Sequence, residues 1–210
     1  MNRVVRGLER RLDPRPRQPY ILIPELKVLY IRVPKAASNS LKHWFEALGH
    51  NPEIVHNRPL PVLGAQRYTT ISFVRNPYTR ISSAWRDKVE RGGHSLGGLG
   101  DGRPSFAEFV DRLAHVDMVT VNPHVRPQSL LLKTNPDFLG GVETLQADLD
   151  RLALQLGVES VGVSRRNSTK GTAPISTLSD ETRARVAELY ADDFARFGYP
   201  IDPTVGVADN

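Results

Sequence analysis

Two polar stretches of the chain carry residue types that bind anions. V-P-K-A-A-S-N-S-L-K runs from Val33 to Lys42, and F-V-R-N-P-Y-T-R-I-S-S-A-W-R runs from Phe73 to Arg86. Each begins at the end of an apolar segment and runs into a helical pattern, so each predicts a turn from a strand into a helix. A helix N-terminus has partial positive charge and unpaired N–H groups, which suit phosphate and sulfate. Together the two turns predict a ligand with two separate anionic groups.

The first turn places a lysine directly after its strand. The Lys35 ammonium would lie beside backbone N–H groups and polar side chains that could stabilise negative charge growing during group transfer. These groups belong to Ala36, Ala37, Ser38, Asn39 and Ser40. The pattern G-x-x-x-x-G-K-[ST] is absent, which argues against an ordinary P-loop kinase. The alternative is a strand-to-helix turn whose lysine is merely exposed.

The second turn places an arginine at a strand end. Arg75 precedes Ser83 by eight residues, and Ser83 would lie on the first turns of the following helix. A guanidinium and a hydroxyl placed in this way can converge on one phosphate. The alternative is that Arg75 forms a structural ion pair.

The elements that position these turns alternate along the chain. Apolar, β-branched runs predict strands at Lys27–Val33, Thr69–Val74, Asp137–Val142 and Val158–Val163. Helical spacing predicts helices at Ser38–Leu48, Pro77 to about Glu90, Ser105–Val116, Thr144–Leu156 and from Ser179 onward. Asn39 or Ser38 is the expected N-cap of the first helix, and Gly49 its end. This order predicts a single α/β domain with a mostly parallel sheet flanked by helices, binding ligands at the carboxyl ends of its strands.

Composition sets further limits. Of the net charge of +5, residues 1–20 contribute four positive charges, so we predict a basic irregular N-terminal arm over 1–20 and a domain over 21–210. The rest of the chain is nearly neutral, and we expect no stable nucleic acid partner. There is no cysteine, which excludes disulfides, thiolate metal sites and a cysteine nucleophile. No apolar run could span a bilayer, and the N-terminus lacks a signal-peptide core, so we expect a soluble, cytoplasmic protein.

The two turns and several later segments, taken together, resemble one family. Val33-Pro34-Lys35 and the stretch from Phe73 to Lys88 are similar to the carbohydrate sulfotransferases of the HNK-1, chondroitin and dermatan type and their bacterial relatives. The similarity continues in order over roughly residues 27–199. It includes N-P-H-V-R-P-Q at 122–128, G-V-E-T-L-Q-A-D-L at 141–149, R-N-S-T-K at 166–170 and L-Y-A-D-D-F-A-R-F-G-Y at 189–199.

The resemblance implies a P-loop-like sulfotransferase fold and a specific reaction. The donor would be 3′-phosphoadenosine-5′-phosphosulfate, the product adenosine 3′,5′-bisphosphate, and the acceptor a hydroxyl of a carbohydrate or glycoconjugate, with no metal. Lys35 and residues 36–40 would hold the 5′-phosphosulfate, and Arg75 and Ser83 the 3′-phosphate. A basic loop that carries Arg165, Arg166 and Lys170 would close over the nucleotide.

The residue that accepts the acceptor's proton stays open between several candidates. His56 lies nineteen residues before Arg75, where better-known sulfotransferases carry their base, and His124 lies in the 122–128 segment. A carboxylate, Glu53 or Asp87, is the third option. Two other functions also stay open, namely sulfation of a small-molecule or lipid alcohol and non-catalytic binding of a nucleotide or nucleic acid. The sequence carries no prediction of the oligomeric state.

Overall fold

A five-stranded sheet forms the centre of the computed structural model, which describes residues 20–55, 68–92, 96–163 and 178–202. The strands are β1 (Tyr20–Ile23), β2 (Val28–Ile31), β3 (Glu53–Val55), β4 (Thr69–Val74) and β5 (Phe138–Gly141). The seven α-helices of the described residues are α1 (Ser38–Ala47), α2 (Pro77–Trp85), α3 (Phe106–Leu113), α4 (Gln128–Leu131), α5 (Leu145–Leu156), α6 (Asp180–Leu189) and α7 (Ala191–Phe197). A 3₁₀ turn at Pro24–Leu26 joins β1 to β2, and a π-helical segment at Arg86–Glu90 extends α2.

The sheet is mixed, and the prediction of a mostly parallel sheet is wrong. Its strand order is β3-β1-β2-β4-β5, with β4 parallel to β2 and β5 but β1 antiparallel to both β2 and β3. The short connection through Pro24–Leu26 and Lys27, which adopts a left-handed φ of 50°, forces β1 to run against β2 because a parallel pair needs a long crossover. The sequence patterns missed β1 and β3, which have only four and three residues.

The alternation of side chains on β2 explains why this strand is apolar throughout. Val28 and Tyr30 pack into a cluster with α1 and α5, whereas Leu29 and Ile31 pack into a second cluster on the other face. All four are buried. A strand covered on both faces reads as a continuous apolar run, and this run made the strand predictable.

Most of the other predicted elements are confirmed, with two corrections. The segment Val158–Val163 is not a strand; its carbonyl at Val161 accepts from Trp44 Nε1, and the amide of Val163 donates to a side chain of α5. The final helix is divided at Tyr190, whose φ of −119° separates α6 from α7. β1 begins at Tyr20, the last residue assigned to the arm, and residues 1–19 lie outside the described part. No helix within the described ranges has the length and apolar character to cross a membrane.

Gly140 in β5 provides a test of how closely β4 and β5 pack. A Cβ at this position would lie 2.4 Å from Cε1 of Phe73, whose ring is fully buried. We expect Gly140→Ala to lower the free energy of unfolding by about 1–3 kcal/mol, because the ring has no space to move into. The matched control is Gly162→Ala, whose Cβ would meet no atom within 4 Å. Urea denaturation of both variants checks this, and equal stability of the two would contradict the packing.

Candidate functional site

The turn between β2 and α1 leaves a row of backbone donors open. Lys35 and Ala37 have left-handed φ values of 69° and 56°. Ala37 occupies the N-cap position and offers no capping side chain, so the prediction of Ser38 or Asn39 as N-cap is wrong. The amides of residues 37–40 donate to no acceptor among the described residues. The N-terminus of this ten-residue helix therefore presents unpaired N–H groups and the positive end of the helix dipole.

Contacts from beneath fix the shape of this turn. The Tyr30 hydroxyl lies 3.4 Å from the carbonyl oxygen of Ala36 and 3.3 Å from Ser38 Oγ. Ser38 Oγ donates to the carbonyl of Val33 at 3.3 Å. The Ser38 hydroxyl is therefore used within the loop, and burial raises the pKa of Tyr30 to about 12. Left-handed conformations of residues other than glycine cost of order 1–3 kcal/mol each, and these buried contacts help to maintain them.

Lys35 is paired with a carboxylate that comes from the π-helical segment. Its Nζ lies 2.6 Å from Asp87 Oδ2, and Lys88 Nζ lies 3.4 Å from the same oxygen. Burial lowers the pKa of Lys35, and Asp87 partly offsets that effect. Burial alone would raise the pKa of Asp87, but the two lysines hold it below its ordinary value. The pair is therefore ionised at neutral pH.

Arg75 is fixed both through its backbone and through its guanidinium. Gln128 accepts from the Arg75 amide at 2.9 Å and donates to the Arg75 carbonyl at 2.8 Å. The guanidinium donates to Thr79 Oγ1 at 3.0 Å and to the Lys35 carbonyl at 3.4 Å. Only 7% of Arg75 is exposed, and this burial lowers its pKa. The two predicted turns are therefore in direct contact.

Asp193 in turn holds Gln128. This fully buried carboxylate accepts from the amide of Gln128 at 2.8 Å and from the amide of Ser129 at 2.7 Å. A buried carboxylate that accepts two backbone hydrogen bonds fixes the start of α4. The chain of contacts from Asp193 through Gln128 to Arg75 connects the C-terminal helices to the end of β4.

The second turn differs from the first in its backbone donors. Asn76 Oδ1 accepts from the amide of Tyr78 at 3.0 Å, Pro77 has no N–H, and the amide of Asn76 donates to Glu143 Oε1 at 2.9 Å. Among the first helical residues only the amide of Thr79 donates to no acceptor among the described residues. The expected row of unpaired N–H groups is therefore reduced to one position, and an anion bound here would depend mainly on the Arg75 guanidinium. Ser83 is half-buried on α2, one turn beyond Thr79 on the same helical face.

A buried arginine ties the two turns to a third segment. Arg80 on α2 is 1% exposed. Its Nε donates to the Pro34 carbonyl at 3.1 Å, Nη1 to the Arg126 carbonyl at 2.8 Å and Nη2 to the Pro123 carbonyl at 3.1 Å. The residue before Lys35 and the backbone on both sides of His124 are thereby held by one guanidinium.

His124 is presented to the site as a neutral imidazole. Asn122 Oδ1 lies 2.9 Å from His124 Nδ1 and accepts from the His124 amide at 3.0 Å. An amide oxygen only accepts, so Nδ1 carries the proton and Nε2 keeps its lone pair. Burial lowers the pKa of His124 to about 4, and the charges of Lys88, Lys35 and Arg80 add to this effect while Asp87 opposes it. At neutral pH this residue is an available proton acceptor.

The structure brings some of the predicted residues together and leaves others aside. Lys35, Arg75 and His124 share one site, and Asp87, one of the predicted carboxylate alternatives, joins them. Asn39 is exposed at the mouth of the first turn. Glu53, the other predicted carboxylate, is exposed on the edge strand β3. His56, Arg165, Arg166 and Lys170 lie outside the described residues.

Several residues of the site have no functional role predicted from the sequence, among them Arg80, Gln128, Asp193 and Asn122. Gln128 belongs to the N-P-H-V-R-P-Q segment, and that segment was the only signal for it. The residues that the structure describes contain no cluster of three or more side chains suited to hold a metal ion.

Comparisons with known proteins place these motifs in a wider context. A family model described as "Sulfotransferase family" matches residues 18–200. Carbohydrate sulfotransferase 12 from Xenopus laevis is 27% identical over 180 residues. That match covers 69% of this chain and 43% of the relative, so the chain spans less than half the length of the curated relative it matches. No solved structure matches the chain.

Replacing Arg80 tests how far the site depends on its guanidinium. We expect Arg80→Lys to lower the free energy of unfolding by about 2–4 kcal/mol, because an ammonium cannot reach three carbonyls placed around a planar fork. Arg185→Lys is the matched control, since Arg185 is 40% exposed and lies 3.8 Å from Asp111. Urea denaturation measures both, and a similar small loss in the two variants would contradict the role of Arg80.

The protonation of His124 can be measured directly. We expect its imidazole signal in NMR spectra to titrate near pH 4 in the ligand-free protein, whereas an exposed histidine titrates near 6.5. The folded-state pKa lies below that of the unfolded chain. His124 therefore lowers stability progressively as pH falls from 6.5 to 4, and His124→Gln should lose less stability over that window. Titration of His124 near 6.5 would contradict this environment.

Proposed function

The chain belongs to the sulfotransferase family, and from this premise we propose that it transfers a sulfuryl group from 3′-phosphoadenosine-5′-phosphosulfate to a hydroxyl of a carbohydrate or glycoconjugate. The donor has two anionic ends, and the site has two basic turns that touch through the hydrogen bond from Arg75 to the Lys35 carbonyl. Adenosine 3′,5′-bisphosphate would be the product left in the site.

The unpaired amides of residues 37–40 carry this proposal. A helix N-terminus with four open N–H groups beside an ammonium suits a doubly charged phosphosulfate, since the amides, the helix dipole and the lysine act on the same charge. The family motif alone would support the same donor. The open amides add a physical reason that is independent of sequence similarity.

We assign Lys35 to stabilising the negative charge on the leaving group. The donor supplies an activated sulfuryl group whose departure leaves negative charge on a phosphate oxygen. An ammonium positioned at that oxygen stabilises the charge as it develops, and such electrostatic stabilisation is commonly the largest contribution to catalysis. Arg75 and Ser83 are assigned to the 3′-phosphate, where a nearly buried guanidinium acts with little screening by water.

His124 is the residue we assign as general base. Its Nε2 is unprotonated, and its pKa keeps it neutral throughout the physiological range. The acceptor hydroxyl would give its proton to this nitrogen as the sulfuryl group is transferred, a contribution of about 10²- to 10⁴-fold in rate. His56 lies outside the described residues, so the choice of His124 rests on its position beside Lys35 and Asp87.

A carbohydrate acceptor is supported by the relative's name and by the motifs. A basic groove built from Arg126, Arg103 or Arg91 would favour an acidic sugar. Arg126 is nearly buried, and its guanidinium donates to the Val121 carbonyl. Arg126 therefore stabilises the backbone at the start of the 122–128 segment. Arg103 and Arg91 are exposed.

Calorimetric titration with adenosine 3′,5′-bisphosphate tests the donor site. We expect micromolar binding to the wild type and a loss of at least tenfold in affinity in both Lys35→Ala and Arg75→Ala, since each removes a cation at one anionic end. Sulfuryl transfer from labelled donor should fall by about 10²- to 10³-fold in Lys35→Ala.

Two exposed cations serve as matched controls. Lys42 on α1 pairs with Glu46 at 3.2 Å, and Arg151 on α5 pairs with Asp148 at 2.9 Å. Lys42→Ala and Arg151→Ala should bind adenosine 3′,5′-bisphosphate as the wild type does. If well-folded wild type does not bind this nucleotide, the proposed function is wrong. Equal losses in the site and control variants would show that only net charge matters.

A further inference from the structure

The contact between Lys35 and Asp87 raises a question about how the donor site works. The two side chains form an ion pair at 2.6 Å, with 17% of Lys35 and 41% of Asp87 exposed. Lys35 is the cation at the turn where the open amides lie. A carboxylate at this distance neutralises its charge, so a phosphosulfate that approaches the amides competes with Asp87 for the same ammonium.

A second cation near Asp87 lowers the free-energy cost of this exchange. Asp87 Oδ2 also lies 3.4 Å from Lys88 Nζ, whose side chain is 12% exposed. When Lys35 turns to an incoming anion, Lys88 stays as counter-ion, and the partly buried carboxylate is not left without a partner. Because 41% of the Asp87 side chain is exposed, water also stabilises the carboxylate while Lys35 turns away.

Asp87 and Lys88 both belong to the π-helical segment Arg86–Glu90, which places their side chains near the first turn. Insertions of this kind within α-helices are rare and are frequent at functional sites. Asp87 and Lys88 follow α2 directly, and α2 itself carries Arg80 and Thr79. The carboxylate is therefore attached to the same rigid element that holds Arg75 and the 123–126 backbone.

His124 faces the same group of charges. Lys88 and Asp87 act on it from the π-helical segment, Lys35 from the first turn and Arg80 from α2, while Asn122 holds its Nδ1. Cations outnumber anions in this set, which disfavours an imidazolium. An anion bound at Lys35 adds negative charge to this set and therefore raises the pKa of His124.

We propose that Asp87 is a positioning residue that holds and neutralises Lys35 in the ligand-free enzyme and yields it to the donor when the donor binds. The proposal rests on the proposed function. Asp87 acts on the donor through Lys35.

Calorimetry with adenosine 3′,5′-bisphosphate tests the competition. Asp87→Asn keeps the size of the side chain and removes its charge, so we expect about three- to tenfold tighter binding, equivalent to about 0.6–1.4 kcal/mol. Glu90→Gln is the matched control. It removes a carboxylate from the same segment that is 49% exposed and pairs with Arg86 at 3.2 Å, and its affinity should stay within twofold of the wild type.

The imidazole signal of His124 reports whether the nucleotide adds its charge to the group around Lys35. This test needs no variant. In the wild type, saturating adenosine 3′,5′-bisphosphate should raise the pKa of His124 by about one unit or more. In ligand-free Asp87→Asn the pKa of His124 should lie below that of the ligand-free wild type, because a carboxylate that opposes the nearby cations is lost. A purely structural role of Asp87 would change the melting temperature but not this titration.

The outcomes separate the two proposals. Unchanged or weaker binding in Asp87→Asn overturns the inference about Asp87, and so does a nucleotide that binds the wild type without moving the His124 titration. Absence of binding to folded wild type overturns the proposed function instead. Tighter binding in Asp87→Asn together with a lower His124 pKa in the ligand-free variant supports both.

Discussion

One buried guanidinium holds the site together. Arg80 donates to three carbonyls from two segments that are far apart in sequence, at Pro34, Pro123 and Arg126. A charged group that is almost wholly buried is tolerable only when its donors are satisfied, and here the acceptors are backbone atoms of the site itself. The positions of the Lys35 turn and of His124 are therefore consequences of satisfying Arg80. The fold cannot retain this arginine without bringing the two segments together.

The two turns proposed to bind anions differ in the hydrogen-bond donors they offer. At the first turn the backbone provides the donors, and left-handed Lys35 and Ala37 keep the N-terminus of α1 open. At the second turn Asn76 and Pro77 leave few amides open, and a nearly buried guanidinium is the main donor available to an anion. Amide donors hold their direction without side-chain entropy, which suits the end of a ligand where charge develops. A guanidinium suits a phosphate that is bound but takes no part in the bond that breaks.

The sequence predicted the elements and residues that follow from local patterns. It did not predict the features that depend on contacts between residues far apart in the chain. β2, β4 and α1 were found because their apolar patterns are continuous, and Lys35 and Arg75 because they follow strands directly. The mixed sheet was missed because β1 and β3 are too short to show alternation. The clamp from Gln128 to Arg75 spans 53 residues and the pair between Lys35 and Asp87 spans 52, so no spacing rule could indicate either contact. The family resemblance included the segments that carry these residues, but it did not predict which side chains form contacts.

Following the backbone amides by ¹H–¹⁵N NMR while adenosine 3′,5′-bisphosphate is added tests directly whether the open amides of α1 bind the donor. The amide signals of residues 37–40 should move strongly as their N–H groups acquire an acceptor. The amide of Tyr78, already bonded to Asn76, should move little. If the nucleotide binds while the signals of residues 37–40 stay unchanged, the open amides of α1 are not the anion site, and the proposed arrangement of the donor is wrong.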